Sequence, residues 1–272
     1  LGENDLARTL VAGQTAAVFF HFLFGAPSCI PSCGSDIETS GATLTSADIA
    51  ELMKRPDIGF LGEMMNFPGV LGGDPEVMAK IKASLACGKP VDGHAPGLLG
   101  DVRKQYADAG ITTDHECTTI EEGRDAVKCG MIVQIRQGSA AKDYNALAPL
   151  IAEAPGQVMF CTDDSHPTDF INSHIDRIVR RAIADGYDIM DILTAACATP
   201  MRHYNIHSGL LQVGDVADFI AITDPGSGLE QKAKGKKIGV RIDSGDLAYL
   251  SKKARKMLDE AGFTDAIISA SN

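Results

Sequence analysis

The sequence predicts an α/β protein built as part of a (β/α)8 barrel, and three observations carry that prediction. Short apolar runs recur along residues 1–222, segments with helix-end signals separate them, and charged or imidazole side chains follow the runs. Strand followed by helix, six times over, implies parallel strands joined by right-handed crossovers.

In chain order the runs are AAVFFHFLFGAPSC, IGFLGEMM, PVDGHAPG, GITTDHECT, MIVQIRQGS and VMFCTDDS. Between the second and third lies GDPEVMAKIKASLACG, where Asp74 can cap a helix, Pro75 suits its first position and Gly88 can close it. CTTIEEGRDAVKCG repeats the logic, with Thr118 or Thr119 as cap, acidic residues in the first turn and Gly130 at the end. An open doubly wound sheet and a closed barrel both fit such alternation. The polar residues favour the barrel, because Glu63, His94, His115, Arg136 and Asp163 fall at the C-terminal ends of successive predicted strands. In a barrel those ends converge on one mouth. In an open sheet, strands far from the switch point share no site. Six strands are counted where a complete barrel has eight.

Composition sets the remaining bounds. A chain of 272 residues, 44% hydrophobic and 22% charged, is long enough to bury a sizeable core. No run approaches the roughly 18 apolar residues that span a bilayer, and Leu1 to Leu10 lacks the basic start and apolar centre of a signal peptide. The expected location is therefore cytoplasmic, and a chain that opens on Leu leaves room for sequence upstream. A net charge of −11 argues against a nucleic-acid surface. The charge is uneven: residues 1–225 carry 16 basic and 30 acidic side chains, residues 226–272 carry 9 and 6. That change falls at DPGSGLEQKAKGKK, which reads as a linker over residues 223–237.

Seven irregularly spaced cysteines suggest no disulfide framework. Cys29 and Cys33 in PSCIPSC lack a second pair at zinc-finger spacing, and the H-x-E plus P-C-x-x-C signature of zinc nucleobase deaminases is absent. They are expected to be structural thiols.

Glu63, His94, His115 and Asp163 form the set with chemistry. Imidazole and carboxylate donors suit Zn²⁺, Fe²⁺ or Mn²⁺ better than magnesium or calcium. A single histidine or aspartate at a strand end is more often a hydrogen-bonded structural group or a helix cap. Four at corresponding ends of separate strands are harder to explain as caps. Neither H-E-x-x-H nor a phosphate loop is present.

Residues 1–222 resemble the adenine deaminases of the amidohydrolase superfamily. The resemblance runs through FGAPSCIPS, ETSGATLTSADIAELM, LGEMMNFPGV, KPVDGHAPGL, DHECTTIEEG, IRQGSAAKD, CTDDSHP and HIDRIVRRAI, and ends in GLLQVGDVADFIAI. It implies a metal-dependent barrel, strands three to eight of which are represented, and hydrolysis of adenine to hypoxanthine and ammonia. By the same resemblance Glu63 bridges two metals, His94 and His115 are the histidines of the fifth and sixth strands, and Asp163 is the aspartate of the eighth. Asp163 then also carries a proton from the attacking hydroxide to the departing ammonia, with Asp164 the alternative ligand. The expected cofactor is a divalent Mn, Fe or Zn ion, bound singly or as a pair. Glu116, Arg136, Ser139, Asp164 and His166 are expected to contact a purine, although Arg136 reads equally well as a structural ion-pair partner.

Two departures accompany the match. The family's first-strand H-x-H pair and its D-P-H-E segment do not occur in these 272 residues; before His94 the sequence has only His21. From about residue 230 the chain instead resembles an internal piece of nicotinate phosphoribosyltransferase, through Arg241, Asp243, Ser244, Gly245 and Asp246, so residues 238–272 are expected to form an appended β/α segment. Its strand, IGVRID, is expected to add a seventh β/α-like unit. LAYLSKKARKMLDEAG is an amphipathic helix that Ser244 or Asp246 could cap. The alternative function is therefore a non-catalytic composite or truncated chain that keeps the barrel fold. His174, His203 and His207 read as helix-end residues. The expected partner is a small purine, with no nucleic acid or membrane involved and self-association left open.

Overall fold

A computed structural model describes residues 23–32, 39–171, 174–207, 213, 239–242, 252, 255–256, 259 and 267–270. His21, Cys33, the expected linker over 223–237, and Asp243, Ser244, Gly245 and Asp246 lie outside the described residues. The chain divides into two units, Leu1–Asp92 and Gly93–Asn272. Among the described residues no helix is long and apolar enough to cross a membrane.

In the first unit the elements are β1 (Phe24–Pro27), α1 (Ser46–Leu52), β2 (Ile58–Met64), α2 (Phe67–Gly72), α3 (Pro75–Ala86) and β3 (Val91–Gly93), whose last residue opens the second unit. The sheet order is β1-β2-β3, with β1 and β2 parallel and Ala26 opposite Leu61. Each helix starts where its sequence provides an acceptor for the first free amides. Thr45 and Asp48 form a reciprocal capping box on α1. Asp74 Oδ1 takes the amides of Glu76 (2.8 Å) and Val77 (3.1 Å) at the start of α3, with Pro75 in the first turn. That helix ends at Cys87, and Gly88 follows at φ 67°, the left-handed conformation that glycine adopts at least cost. Ile49, Leu61, Met64, Ile81 and Val91 form the buried apolar layer.

The second unit continues with α4 (Gly100–Asp108), β4 (Thr113–Asp114), α5 (Ile120–Lys128), β5 (Ile132–Arg136), α6 (Tyr144–Leu147), α7 (Leu150–Glu153), β6 (Val158–Cys161), α8 (Ile175–Ala184), α9 (Ile189–Leu193) and α10 (Thr199–His203). Strands β4, β5 and β6 are parallel and pair in sequence order, with Asp114 opposite Val133 and Arg136 opposite Cys161. Each sheet is parallel and runs in sequential order, as successive strands of a (β/α)8 barrel do. All six strands fall inside the predicted runs, so the fold is α/β and represents part of a (β/α)8 barrel. Val133, Ile135, Val158 and Met159 of the sheet and Leu147, Leu150, Ile178 and Ile192 of the helices are buried.

One open alternative is decided and two local expectations are revised. Thr119, not Thr118, caps α5; it forms the capping box with Glu122, whose carboxylate also accepts the Thr118 amide and hydroxyl. His174 holds the cap position of α8 without a side-chain capping bond, and its amide donates to Asp176 instead (2.6 Å). The tail strand β7 (Gly239–Ile242) pairs in parallel with β8 (Ile267–Ala270) as a sheet of its own, so it does not lengthen the β4-β5-β6 sheet as a seventh unit. Within the tail, Arg255 donates to Asp259 one helical turn on (2.9 Å).

Candidate metal centre

Parallel strands deliver their C-terminal residues to the same side of a sheet, and the predicted polar residues occupy those positions. In the second unit His94 follows β3, His115 and Glu116 follow β4, Arg136 ends β5, and Asp163 lies two residues beyond β6. Glu63 is the penultimate residue of β2 in the first unit, where its carbonyl accepts the Ser28 hydroxyl. Buried Lys80 in turn donates to the Ser28 carbonyl (3.1 Å).

One carboxylate oxygen organises the second unit's site. Glu116 Oε1 lies 3.4 Å from His94 Nδ1, 3.3 Å from His115 Nε2 and 2.6 Å from Arg136 Nη1. The imidazoles approach to 3.4 Å between His94 Nδ1 and His115 Nε2, with their rings inclined at 62°. Arg136 Nη1 also donates to Asp163 Oδ2 (3.0 Å), and its Nε donates to Asp143 Oδ2 (2.9 Å). The hydrogen bond with His115 holds the Glu116 carboxyl below the usual carboxylate range; partial burial opposes this, and the charges of Arg136 and the imidazoles reinforce it. Burial works against the Arg136 charge, but its bonds to Asp163 and Asp143 and the nearby Glu116 outweigh that and push its pKa up.

Three carboxylates thus face one guanidinium, which leaves net negative charge for a cation. Ligand atoms of His115, Glu116 and Asp163 lie within 4.8 Å of one another. One imidazole and two carboxylates, with a second imidazole alongside, fit the donor preferences of Zn²⁺, Fe²⁺ or Mn²⁺.

Beneath the imidazoles lies a residue that sequence reasoning passed over. Asp114 is wholly buried, and its Oδ1 accepts the amides of Ala95 (3.1 Å) and Glu116 (3.0 Å). Its Oδ2 receives Arg103 Nη1 and the Cys117 thiol. Arg103, also without exposure, donates from Nε to the Leu98 carbonyl (2.8 Å). The His94 amide donates to the Tyr106 hydroxyl (3.0 Å), and Gly93 is glycine because a Cβ there would collide with the Thr113 carbonyl. Burial, then the neighbouring Asp114 charge, pushes the Cys117 thiol well up, so it stays protonated and packs as an apolar group. An acidic residue immediately before a strand-end histidine was the available signal for Asp114. Arg103 and Asp143 gave none.

Asp163 is held differently. Its φ of 53° is left-handed, a region open to Asp and Asn at modest cost. Next to it the Asp164 carbonyl accepts the amides of Ser139 (3.0 Å) and Ala140 (3.4 Å). Gly138 passes so near that a Cβ would collide with the Thr162 carbonyl. Ser139 donates its hydroxyl to Asp169 and accepts the His166 amide (2.7 Å), while His166 Nδ1 lies 2.8 Å from the Thr168 hydroxyl. Ser139, Asp164 and His166 are therefore gathered into one contact between the loops after β5 and β6.

Residues 5–253 match the amidohydrolase family. Adenine deaminase of Salinibacter ruber is 53% identical over 224 residues, which cover 82% of this chain and 40% of that protein. Adenine deaminase of Sulfurovum sp. is 53% identical over 205 residues, 75% of this chain and 38% of that protein. That of Methanosarcina acetivorans is 46% identical over 225 residues, 82% and 40% of the respective lengths. The chain thus spans about 40% of the length of the curated relatives it matches. Among solved structures, N-acetyl-D-glucosamine-6-phosphate deacetylase from Mycobacterium smegmatis aligns with a TM-score of 0.49 at 16% identity, over 81% of this chain and 66% of that one.

Proposed function

This chain belongs to the amidohydrolase family, and from that premise we propose that it carries an adenine-deaminase-like centre, which replaces the 6-amino group of adenine by oxygen from water to give hypoxanthine and ammonia. The observation that carries the proposal is that donor atoms of His115 and Asp163, beyond the ends of β4 and β6, lie within 4.8 Å of one another, with His94 and the Glu116 carboxylate beside them. Identity of 46–53% to adenine deaminases supports the choice of reaction.

In this reading His94, His115 and Asp163 would hold a divalent Mn, Fe or Zn ion, and Glu63 keeps the ligand role that the resemblance to adenine deaminases implies for it. When bound, such an ion lowers the pKa of its water to about 7, which supplies hydroxide at neutral pH. Asp163 accepts the proton of the attacking water and returns it to the amine that leaves. Arg136 occupies Asp163 Oδ2 and leaves Oδ1 for those tasks. Glu116, kept anionic by His115 and Arg136, can accept an N–H of the purine. Ser139, Asp164 and His166 close the purine side. The proposed setting is the cytoplasm, within purine metabolism.

The test joins elemental analysis of the purified chain to an ammonia-release assay with adenine. Stoichiometric metal and turnover in the wild type, with turnover lost on Glu63→Gln, are the expected results. Absence of both metal and ammonia overturns the proposal. It would favour a second reading, a folded but non-catalytic chain.

A further inference from the structure

We infer that Asp114, anchored by Arg103, is the positioning residue that fixes His94 and His115 as a preformed pair. The inference rests on the reading of those histidines as ligands and deepens it. Asp114 Oδ1 holds the amide one residue after His94 and the amide one residue after His115, at 3.1 and 3.0 Å. A single buried oxygen therefore ties together two loops from different strands, at the residues adjoining the two imidazoles. On the other side Arg103 fixes the carboxylate through Oδ2, and itself through the Leu98 carbonyl in the loop that follows His94. The Tyr106 hydroxyl, one turn along the same helix, receives the His94 amide.

Stability alone is a poor account of this arrangement. An arginine and an aspartate wholly out of water gain little over apolar residues of similar size. Arg103 Nη2, moreover, meets no hydrogen-bond partner among the described residues. What the pair does provide is geometry, since backbone amides on two loops are brought to one acceptor. Outer partners of this kind govern how well ligands are presented to a metal.

The test compares wild type, Asp114→Asn and Arg103→Lys by amide hydrogen exchange without metal and by chelator-competition titration with Zn²⁺ and Mn²⁺, with thermal unfolding as the fold control. Asparagine keeps the shape of the side chain but replaces one acceptor oxygen by a donor. Exchange at Ala95 and Glu116 is expected to rise about tenfold while Val133 and Ile135 stay unchanged. Metal affinity is expected to fall about 10- to 100-fold. Unchanged exchange at Ala95 and Glu116 together with unchanged affinity overturns the inference. A uniform rise in exchange across the second unit also overturns it, because an ion pair that merely stabilises would give that result. Should Asp114→Asn fail to fold, Arg103→Lys, which keeps the cation but not the guanidinium fork, decides by the same pattern of exchange. A wild type that binds neither ion refutes the ligand reading, and the exchange measurement then decides the role of Asp114 alone.

Discussion

His94 and His115 rest on a buried ion pair, whereas Asp163 sits on a turn between surface loops, and the two sides of the centre differ in almost every physical respect. The side chains of Arg103 and Asp114 are 0% exposed, while that of Asp163 is 32% exposed. The imidazole side is tied by backbone amides to one carboxylate. The Asp163 side depends on a left-handed residue, two loop amides and Arg136. The difference matches the work proposed for each. Ligands that hold an ion benefit from fixed separation, and a base that moves a proton between water and amine benefits from some freedom to turn.

The sharpest way to break this comparison is Asp163→Asn. Asparagine tolerates the same backbone conformation and removes only the charge, so ammonia release should fall about 10²- to 10⁴-fold with little change in melting temperature. Retained turnover would end the assignment of Asp163 as base. Next in size, Arg136→Met strips the cation from Glu116, Asp143 and Asp163, and should cost about 3 kcal/mol in urea unfolding. A loss below roughly 1 kcal/mol would mean that water screens the cluster as it screens surface pairs. Gly138→Ala drives a methyl into the Thr162 carbonyl and should cost about 1–3 kcal/mol. It should lower turnover yet leave amide exchange at Ala95 and Glu116 untouched, and a change there would show that the two sides are coupled.

The smallest effect belongs to a control remote from both sides. Thr119→Ala removes the cap of α5, should cost about 1 kcal/mol by thermal unfolding, and should leave turnover per folded molecule unchanged. Its pH dependence follows from Glu122. Partial burial works against that charge, but hydrogen bonds from Thr118 and Thr119 outweigh it and hold the carboxyl below its ordinary value of 4.5. A lowered folded pKa contributes stability above 4.5 that is lost as pH falls through the folded value. The wild-type advantage over the variant should therefore be complete at neutral pH and narrow in acid.

Strand ends and helix caps were legible because they are local. Pro75 after Asp74, or Thr119 three residues before Glu122, specifies a helix start regardless of what surrounds it. The placement of His94, His115, Arg136 and Asp163 followed from strand–helix alternation alone. Arg103 was not legible, since its burial depends on a carboxylate eleven residues away. Asp143 was hidden likewise, its meaning supplied only by the Arg136 side chain that folds onto it. The strand β8 went unanticipated because four residues gain a partner only through pairing with β7.

The bond between the Tyr106 hydroxyl and the His94 amide has an optical consequence. The sequence has no tryptophan and only five tyrosines, so tyrosine emission is not masked by energy transfer to indole. Tyr106 is fully buried and touches the backbone of a proposed ligand. Its share of the summed tyrosine emission is accordingly an intrinsic probe of the centre, and a quenching ion such as Mn²⁺ should dim that share, but not in Tyr106→Phe, in a titration that needs no label.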